Sequence, residues 1–237
     1  MSFLVEKLDK PLPVHSKFRK KIIELSQVNT KDLVNYVIND NNILLPIFQA
    51  RNAVVTEDYH SRIGSYGIDK LDFFLVKDSL KNCLAGYAIV FPGIKECIED
   101  ENRIYEVIND HGTIFAIVID NKYRGNKLFK LLIDTIKEKY SEIQAECFPK
   151  LVPLYEREGF VAITSNDAQV VMQYAEVLPL VDSYKVNSGN HDQAFSRVDG
   201  IYKDIICQYG ETRVAEANID IDAATKLVAE IARKIFN

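Results

Sequence analysis

Residues 113–136 read TIFAIVIDNKYRGNKLFKLLIDTI. The run TIFAIVI (113–119) carries no charge and lies between Gly112 and Asp120, the pattern of a central strand covered on both faces. A short loop follows. Leu128, Leu131, Leu132 and Ile136 then recur at helical spacing and predict a helix over about 126–140. The first amides of a helix have no internal partner, and its dipole favours negative charge at that end. A loop that feeds such a terminus suits a pyrophosphate. Arg124-Gly125-Asn126 is such a loop, and Gly125 lets backbone come close to a ligand. A lone R-G turn is as often a plain turn, so neighbouring sequence has to decide.

Upstream, LDFFLV (71–76) and CLAGYAIVF (83–91) flank the polar stretch KDSLKN and predict a hairpin. Residues 93–112 read as a polar, partly helical insertion. Downstream, EIQAECF (142–148) predicts a strand, and Pro149 and Pro153 a short helix through Glu158 that Gly159 ends. FVAIT (160–164) and QVVMQYA (169–175) predict a last hairpin. The middle of the chain is thus β-β-β-α-β-α-β-β, an α/β (α+β) mixed sheet with helices on its faces. N-terminal to it, a helix is expected over 16–26. Thr30 is expected to cap a second one carrying Leu33, Val34, Val37 and Ile38, and 43–70 reads as loop with short strand pieces.

After a linker at 183–193, Val198 to Tyr209 predicts a helix ended by Gly210. Asp222 is expected to cap a final helix with the stripe Ala224, Leu227, Val228, Ile231, Ala232 and Ile235. Leu227, Val228, Ile231 and Ile235 are the expected contact surface, either across a homodimer or against an open face of a monomer.

The chain has 237 residues, 47% hydrophobic and 27% charged, enough to bury a core without staples. A net charge of −5 gives no general field for nucleic acid or anionic lipid. Cys83, Cys97, Cys147 and Cys207 form no C-x-x-C pair, and the four histidines show no metal-ligand spacing, so no metal is expected. The opening MSFLVEKLDK carries Glu6, Lys7 and Asp9 where a signal peptide would be apolar, and no apolar run approaches the roughly 20 residues of a membrane span. The expectation is a cytoplasmic protein with reduced thiols. A thiol hydrolase built from Cys147 and His60 or His111 is a rival reading, but nothing around Cys147 resembles a nucleophile turn.

About 30 residues past the R-G loop stands VPLYEREGFVAI (152–163). The two stretches together resemble the GNAT N-acetyltransferase superfamily. Its loop motif Y-R-G-x-G-I-G reads here Tyr123-Arg124-Gly125-Asn126-Lys127-Leu128-Phe129. Its second marker, L-Y-x-x-x-G-F, reads Leu154-Tyr155-Glu156-Arg157-Glu158-Gly159-Phe160. The resemblance covers roughly 70–177. Lys127 and Phe129 depart from it where the family has glycine, or glycine or alanine, and Phe148 where many members have asparagine.

The resemblance implies a GNAT-like acyl-CoA N-acyltransferase fold over 1–177, with 178–237 as a C-terminal helical extension. It implies acetyl-coenzyme A as co-substrate and direct transfer of the acetyl group to a primary amine. The backbone at Ile117 and Ile119 would pair with the pantetheine arm, and Arg124, Gly125, Asn126, Lys127, Leu128 and Phe129 would surround the pyrophosphate. Tyr155 would be the general acid. The base stays unassigned, with Glu146 and Asp120 nearest the implied cleft. A small amine, a peptide N-terminus and a protein lysine remain open as acceptors. The alternative is a GNAT-fold module without catalysis that associates through its C-terminal helices.

Overall fold

The computed structural model describes residues 2–99, 102–175, 186–189, 191 and 195–236. Strand β1 (Phe3–Leu8) leads to helices α1 (Lys17–Val28), α2 (Thr30–Leu33) and α3 (Leu45–Ser61). Strands β2 (Asp72–Asp78), β3 (Cys83–Glu99) and β4 (Asn102–Ile119) follow. Then come α4 (Leu128–Lys137), β5 (Glu142–Cys147), α5 (Val152–Glu156), β6 (Val161–Asn166) and β7 (Gln169–Ala175). Helices α6 (Asp199–Tyr209) and α7 (Glu211–Lys234) close the order. The strands form one sheet in the order β1-β2-β3-β4-β5-β7-β6. Every pairing is antiparallel except β4–β5.

Period-two alternation divides the sheet between two cores. Phe74, Val76, Ala88, Val90 and Ile114 point to α4 and α5, where they meet Leu128, Leu132, Ile136, Val152 and Tyr155. Phe73, Leu75, Tyr87, Ile89, Ala116 and Val118 point the other way, to Ile22 and Leu25 of α1 and Val55 and Tyr59 of α3. The expected mixed sheet with covered faces is thus present, and so are the two predicted hairpins and the helix that Gly210 ends.

Other expectations need correction. The edge strand β1 escaped the reading because its charges Glu6 and Lys7 interrupt the apolar pattern; Glu6 pairs across the strands with Lys77. Residues 45–61 form a 17-residue helix, not loop. Its N-terminal Ile47 packs on the C-terminal helices while Val55 and Tyr59 pack on the sheet, so no single stripe shows in the sequence. The predicted second helix is one turn only: Val34 is extended, and Ile38 is buried against α6 and α7 rather than along a helix face. Residues 93–112 are not helical. From Gly93 opposite Ile108 outward the two arms pair with each other, as in Lys95 with Glu106, and apart from Gly93 and Ile94 their described side chains are exposed or half-buried, so few apolar ones are needed. The expected linker at 183–193 and the boundary between 177 and 178 fall largely outside the described residues. Within that span Arg62 Nη2 donates to the Asn187 carbonyl at 2.9 Å.

The last helix also differs. It begins at Glu211, eleven residues before the expected cap Asp222. Its buried face is Val214, Ala217, Ile221, Ala229 and Ala232, whereas Leu227 is 62% and Ile231 48% exposed. Small residues let the helix lie close, and the large apolar stripe faces solvent. Val214, Ala217 and Ile221 join Ile205 of α6 in a cluster with Ile38, Leu44 and Ile47.

Two substitutions separate these faces. Ile221→Ala should destabilise the protein by about 2–4 kcal/mol, and Leu227→Ala by no more than about 0.5 kcal/mol. Urea denaturation of both variants reads the difference, and equal effects would contradict this packing.

Candidate functional site

Strands β4 and β5 pair in parallel from His111–Glu142 to Ile114–Ala145 and no further. β4 continues to Ile119 and β5 to Cys147, so the two diverge into a fork. The cause lies on the opposite edge of β4. Val90 pairs with Ile114 and Ile89 with Ala116, which leaves Phe115 as an extra residue, a β-bulge at the point of divergence. On that edge the Asp120 amide donates to the Ala85 carbonyl at 2.9 Å. Amides alternate along a strand, so those of Ile117 and Ile119 face into the fork. Their side chains are partly buried against the core below α4.

The fork opens into a cleft of about 620 Å³. Ile117, Ile119, Arg124, Gly125, Lys127, Leu128, Phe129 and Tyr155 all line it. Asn126 does not: its Nδ2 turns back to the Tyr123 carbonyl at 2.9 Å and closes the loop. Leu128 has its side chain in the core, 2% exposed, which leaves its backbone amide for a ligand. No side chain caps α4. The terminus therefore presents free amides, and Arg124, Lys127, Lys130 and Arg157 surround it with positive charge. Gly125 has φ +83°, and a Cβ there would meet nothing within 4 Å. Lys127 has φ +59°, a left-handed conformation that suits glycine. The lysine thus keeps the backbone shape of the glycine it replaces in the motif.

Tyr155 is buried, 6% exposed, on the α4–α5 side of the cleft. Phe129 and Phe160 meet its ring edge-on, at centroid distances of 5.0 and 5.3 Å. Burial, with a smaller contribution from Cys147, raises the phenol pKa, so the hydroxyl stays protonated at neutral pH. Phe148, where many relatives of the motif have asparagine, is itself buried at 6%.

Of the carboxylates, Asp120 is tied into the loop rather than the cleft. Its Oδ1 accepts from the Lys122 amide at 3.0 Å, and Lys21 lies 3.1 Å from Oδ2. Burial alone would raise its pKa, but the Lys122 amide and Lys21 outweigh it and hold the carboxyl below its usual range. Glu146 does line the cleft, and Asn166 Nδ2 donates to both its oxygens at 3.2 and 3.3 Å. The thiol-hydrolase reading fails on geometry. His111 is in register with Glu142, five residues along β5 from Cys147, or roughly 16 Å. His60 accepts from the Leu12 amide at 3.0 Å on the other face of the sheet. Burial also pushes the Cys147 thiol up to about 12, far from a reactive thiolate.

Asn29, Asp32, Leu33 and Phe115 also line the cleft, and sequence reasoning did not single them out. Asn29 accepts from Arg124 Nη2 at 2.8 Å, and Lys150 donates to Asp32 at 2.7 Å. These pairs join residues 95 and 118 positions apart, for which one sequence holds no signal. Phe115 sits inside an apolar run, where a bulge leaves no mark.

The fork, the loop and the uncapped helix define the GNAT acyl-CoA N-acyltransferase fold. The chain aligns with the PaiA N-acetyltransferase of Thermoplasma acidophilum, solved in complex with coenzyme A, at a TM-score of 0.50. They share 12% identity over 74% of this chain and 99% of that one. A GNAT-family acetyltransferase of Streptococcus pneumoniae aligns at a TM-score of 0.43, with 18% identity over 73% and 98% of the two chains. In sequence, 112 residues are 27% identical to a protein of Drosophila melanogaster described as a probable glucosamine 6-phosphate N-acetyltransferase. That match covers 44% of this chain and spans about half the length of the relative, 48%. No family model matches the chain. Among the described residues no helix is long and apolar enough to cross a membrane.

The conformation of Lys127 has a testable consequence. Lys127→Gly should leave stability unchanged or raise it by up to about 1 kcal/mol, against the usual loss for a glycine near a helix. Urea denaturation checks this, and a clear loss would mean that the lysine side chain holds the turn.

Proposed function

We propose that the protein is an acetyl-coenzyme A-dependent N-acetyltransferase that moves the acetyl group directly to a primary amine. Residues 1–177 would carry the catalysis and 178–237 would form an extension. The observation that carries the reading is the fork of β4 and β5 opening onto the uncapped N-terminus of α4, with Tyr155 buried on its wall. The free amides and the basic side chains at Arg124–Phe129 suit a pyrophosphate, with Asn126 contributing by fixing the turn. The inward amides of Ile117 and Ile119 suit an amide-bearing arm laid along β4 as an added strand. An amide of the fork can also polarise the thioester carbonyl and stabilise the oxyanion that forms.

In the reaction the amine nitrogen attacks the carbonyl carbon. The C–N bond forms, the C–S bond breaks, and the amine proton passes to water. Tyr155 gives its hydroxyl proton to the departing thiolate. The reference values, near 8.5 for a thiol and near 10 for a phenol, allow a hydrogen bond or a proton to pass; burial raises the phenol further, which keeps it protonated and makes it a weaker acid toward the thiolate.

A second reading, a GNAT-fold module without catalysis, draws on Phe129. Its ring lies against Tyr155 where the motif has a small residue. Acetyl-coenzyme A at about 100 times its Kd should add about 2.7 kcal/mol of stability if the cleft binds it. No stabilisation at any concentration favours the module.

Two variants test the roles. Gly125→Val forces a branched side chain into a left-handed turn at a cost of about 1–2 kcal/mol. It should abolish acetyl-coenzyme A binding, read by calorimetry, while the protein stays folded; unchanged affinity would move the pyrophosphate elsewhere. Tyr155→Phe should lower kcat by about 10²–10⁴-fold with cofactor affinity nearly unchanged. Full activity in that variant would leave Tyr155 a packing residue.

A further inference from the structure

The two walls of the cleft differ in charge. Its basic side chains, Arg124, Lys127, Lys130 and Arg157, all come from the loop after β4, from α4 and from the end of α5, where Glu158 also lines the cleft and pairs with Lys130 at 3.3 Å. The opposite wall consists of Asn29, Asp32, Leu33, Phe115 and Glu146. Alternation along β5 sets this division: Ala145 and Cys147 enter the core with Tyr155, so Glu146 between them points to the α1–α3 face. Phe115 is on that face too, meeting Tyr59 and Phe91 edge-on at centroid distances of 4.8 and 5.8 Å. The last paired residues are Ile114 and Ala145, so Phe115 and Glu146 are the first side chains on either side of the apex of the fork.

Asp32 is neutralised by Lys150 at 2.7 Å. Glu146 has only the neutral Asn166 amide, and no cationic partner among the described residues. A half-buried carboxylate aimed into a cleft without a counter-charge favours a cation there. Phe115 is 42% exposed and held by its aromatic neighbours, which leaves ring surface for an apolar body or an ammonium. A phosphate on this wall would meet Glu146, while the basic side chains that reach the wall are engaged, Lys150 by Asp32 at 2.7 Å and Arg124 by Asn29 at 2.8 Å.

We propose that the acceptor is a cationic amine with an alkyl or aryl body and no phosphate, held by Glu146 and Phe115 on the side of the sheet away from Tyr155. This rests on the acetyltransferase reading above. The ammonium first gives one proton to water, which frees the nitrogen lone pair, and the amine then attacks from one face while the thiolate leaves toward Tyr155 on the other. The arrangement also disfavours an amino sugar phosphate as acceptor, since a phosphate beside Glu146 would be repelled.

The test uses the full chain with 2-phenylethylamine, 1,5-diaminopentane and glucosamine 6-phosphate as acceptors, following thiol release, with acetyl-coenzyme A affinity measured separately by calorimetry. The two cationic amines should be acetylated and the sugar phosphate should not. Glu146→Gln should raise KM for both amines about 10–100-fold, the worth of a charge-assisted hydrogen bond. The variant's acetyl-coenzyme A affinity should stay unchanged, which also shows that it is folded. If acetyl-coenzyme A binds, preference for the sugar phosphate, turnover of neither amine, or an unchanged KM in Glu146→Gln overturns this inference alone. If acetyl-coenzyme A does not bind the parent protein, the acetyltransferase reading falls and this inference with it.

Discussion

The site depends on where one pair of strands stops pairing. Backbone groups buried without partners are costly, so strands part only where something else compensates. Here β4 keeps its hydrogen bonds to β3 through Ile119 while it loses β5 after Ile114. The bulge at Phe115 makes the two compatible, because one extra residue bends β4 without releasing it from β3. The inward amides beyond Ile114 are then left for an added strand or for solvent. β5 is held on its other edge by β7 along its full length, from Glu142 to Cys147. Both prongs are therefore rigid although the gap between them is open.

The fork gives the sheet a division of labour. On one face α4 starts a few residues after β4 ends, which brings its uncapped terminus to the open end of the gap. The buried Leu128, Leu132, Ile133 and Ile136 fix that helix against the sheet, so the amides at its start are set in place before any ligand arrives. The loop between is tied down at Asp120, by the Lys122 amide and Lys21, and at Arg124, by Asn29. On the other face α1 and α3 bury Phe73, Leu75 and Tyr87 and leave Phe115 and Glu146 at the apex. A basic wall and an acidic wall thus share one gap.

Much of this was legible where local chemistry decides structure. The buried run at 113–119 and the stripe of α4 follow from periodicity, and the turns at Gly125 and Gly159 from glycines that take φ of +83° and +82°. Parts of the strand–RGN–helix and LYEREGF stretches line one cleft, with Asn126 turned out of it. What escaped depends on distant parts of the chain. Helix α3 shows no stripe because two different partners bury two different sides of it. β1 has charges because it is an edge, and the hairpin beyond Ile94 is polar where its described side chains are exposed or half-buried. In the final helix Leu227 and Ile231 of the expected contact stripe face away from the rest of the chain, and Val214, Ala217, Ile221, Ala229 and Ala232 make its contacts within the chain. Glu146 could be named from the sequence as a strand-end carboxylate. That it faces away from Tyr155 follows from the sheet.

The C-terminal helices enter the same mechanical argument. Thr225 of α7 accepts from the Val37 amide at 3.0 Å, and the Ala217 carbonyl accepts from Asn42 Nδ2 at 3.0 Å, which ties α7 to the segment between α2 and α3. Toward its other end α7 packs on β6, β7 and the Pro149–Leu151 turn, with Ala232 in the core below α4. One helix thus connects the lip that carries Asn29, Asp32 and Leu33 to the lip that carries Leu151 and Tyr155. The Asp32–Lys150 pair joins the same two lips, but it is exposed and worth about 0–1 kcal/mol. The apolar cluster of Ile38, Leu44, Ile47, Ile205, Val214 and Ile221 holds α6 and α7 to the first of these lips. Helix α7 therefore braces both lips, and none of the described residues past 175 lines the cleft.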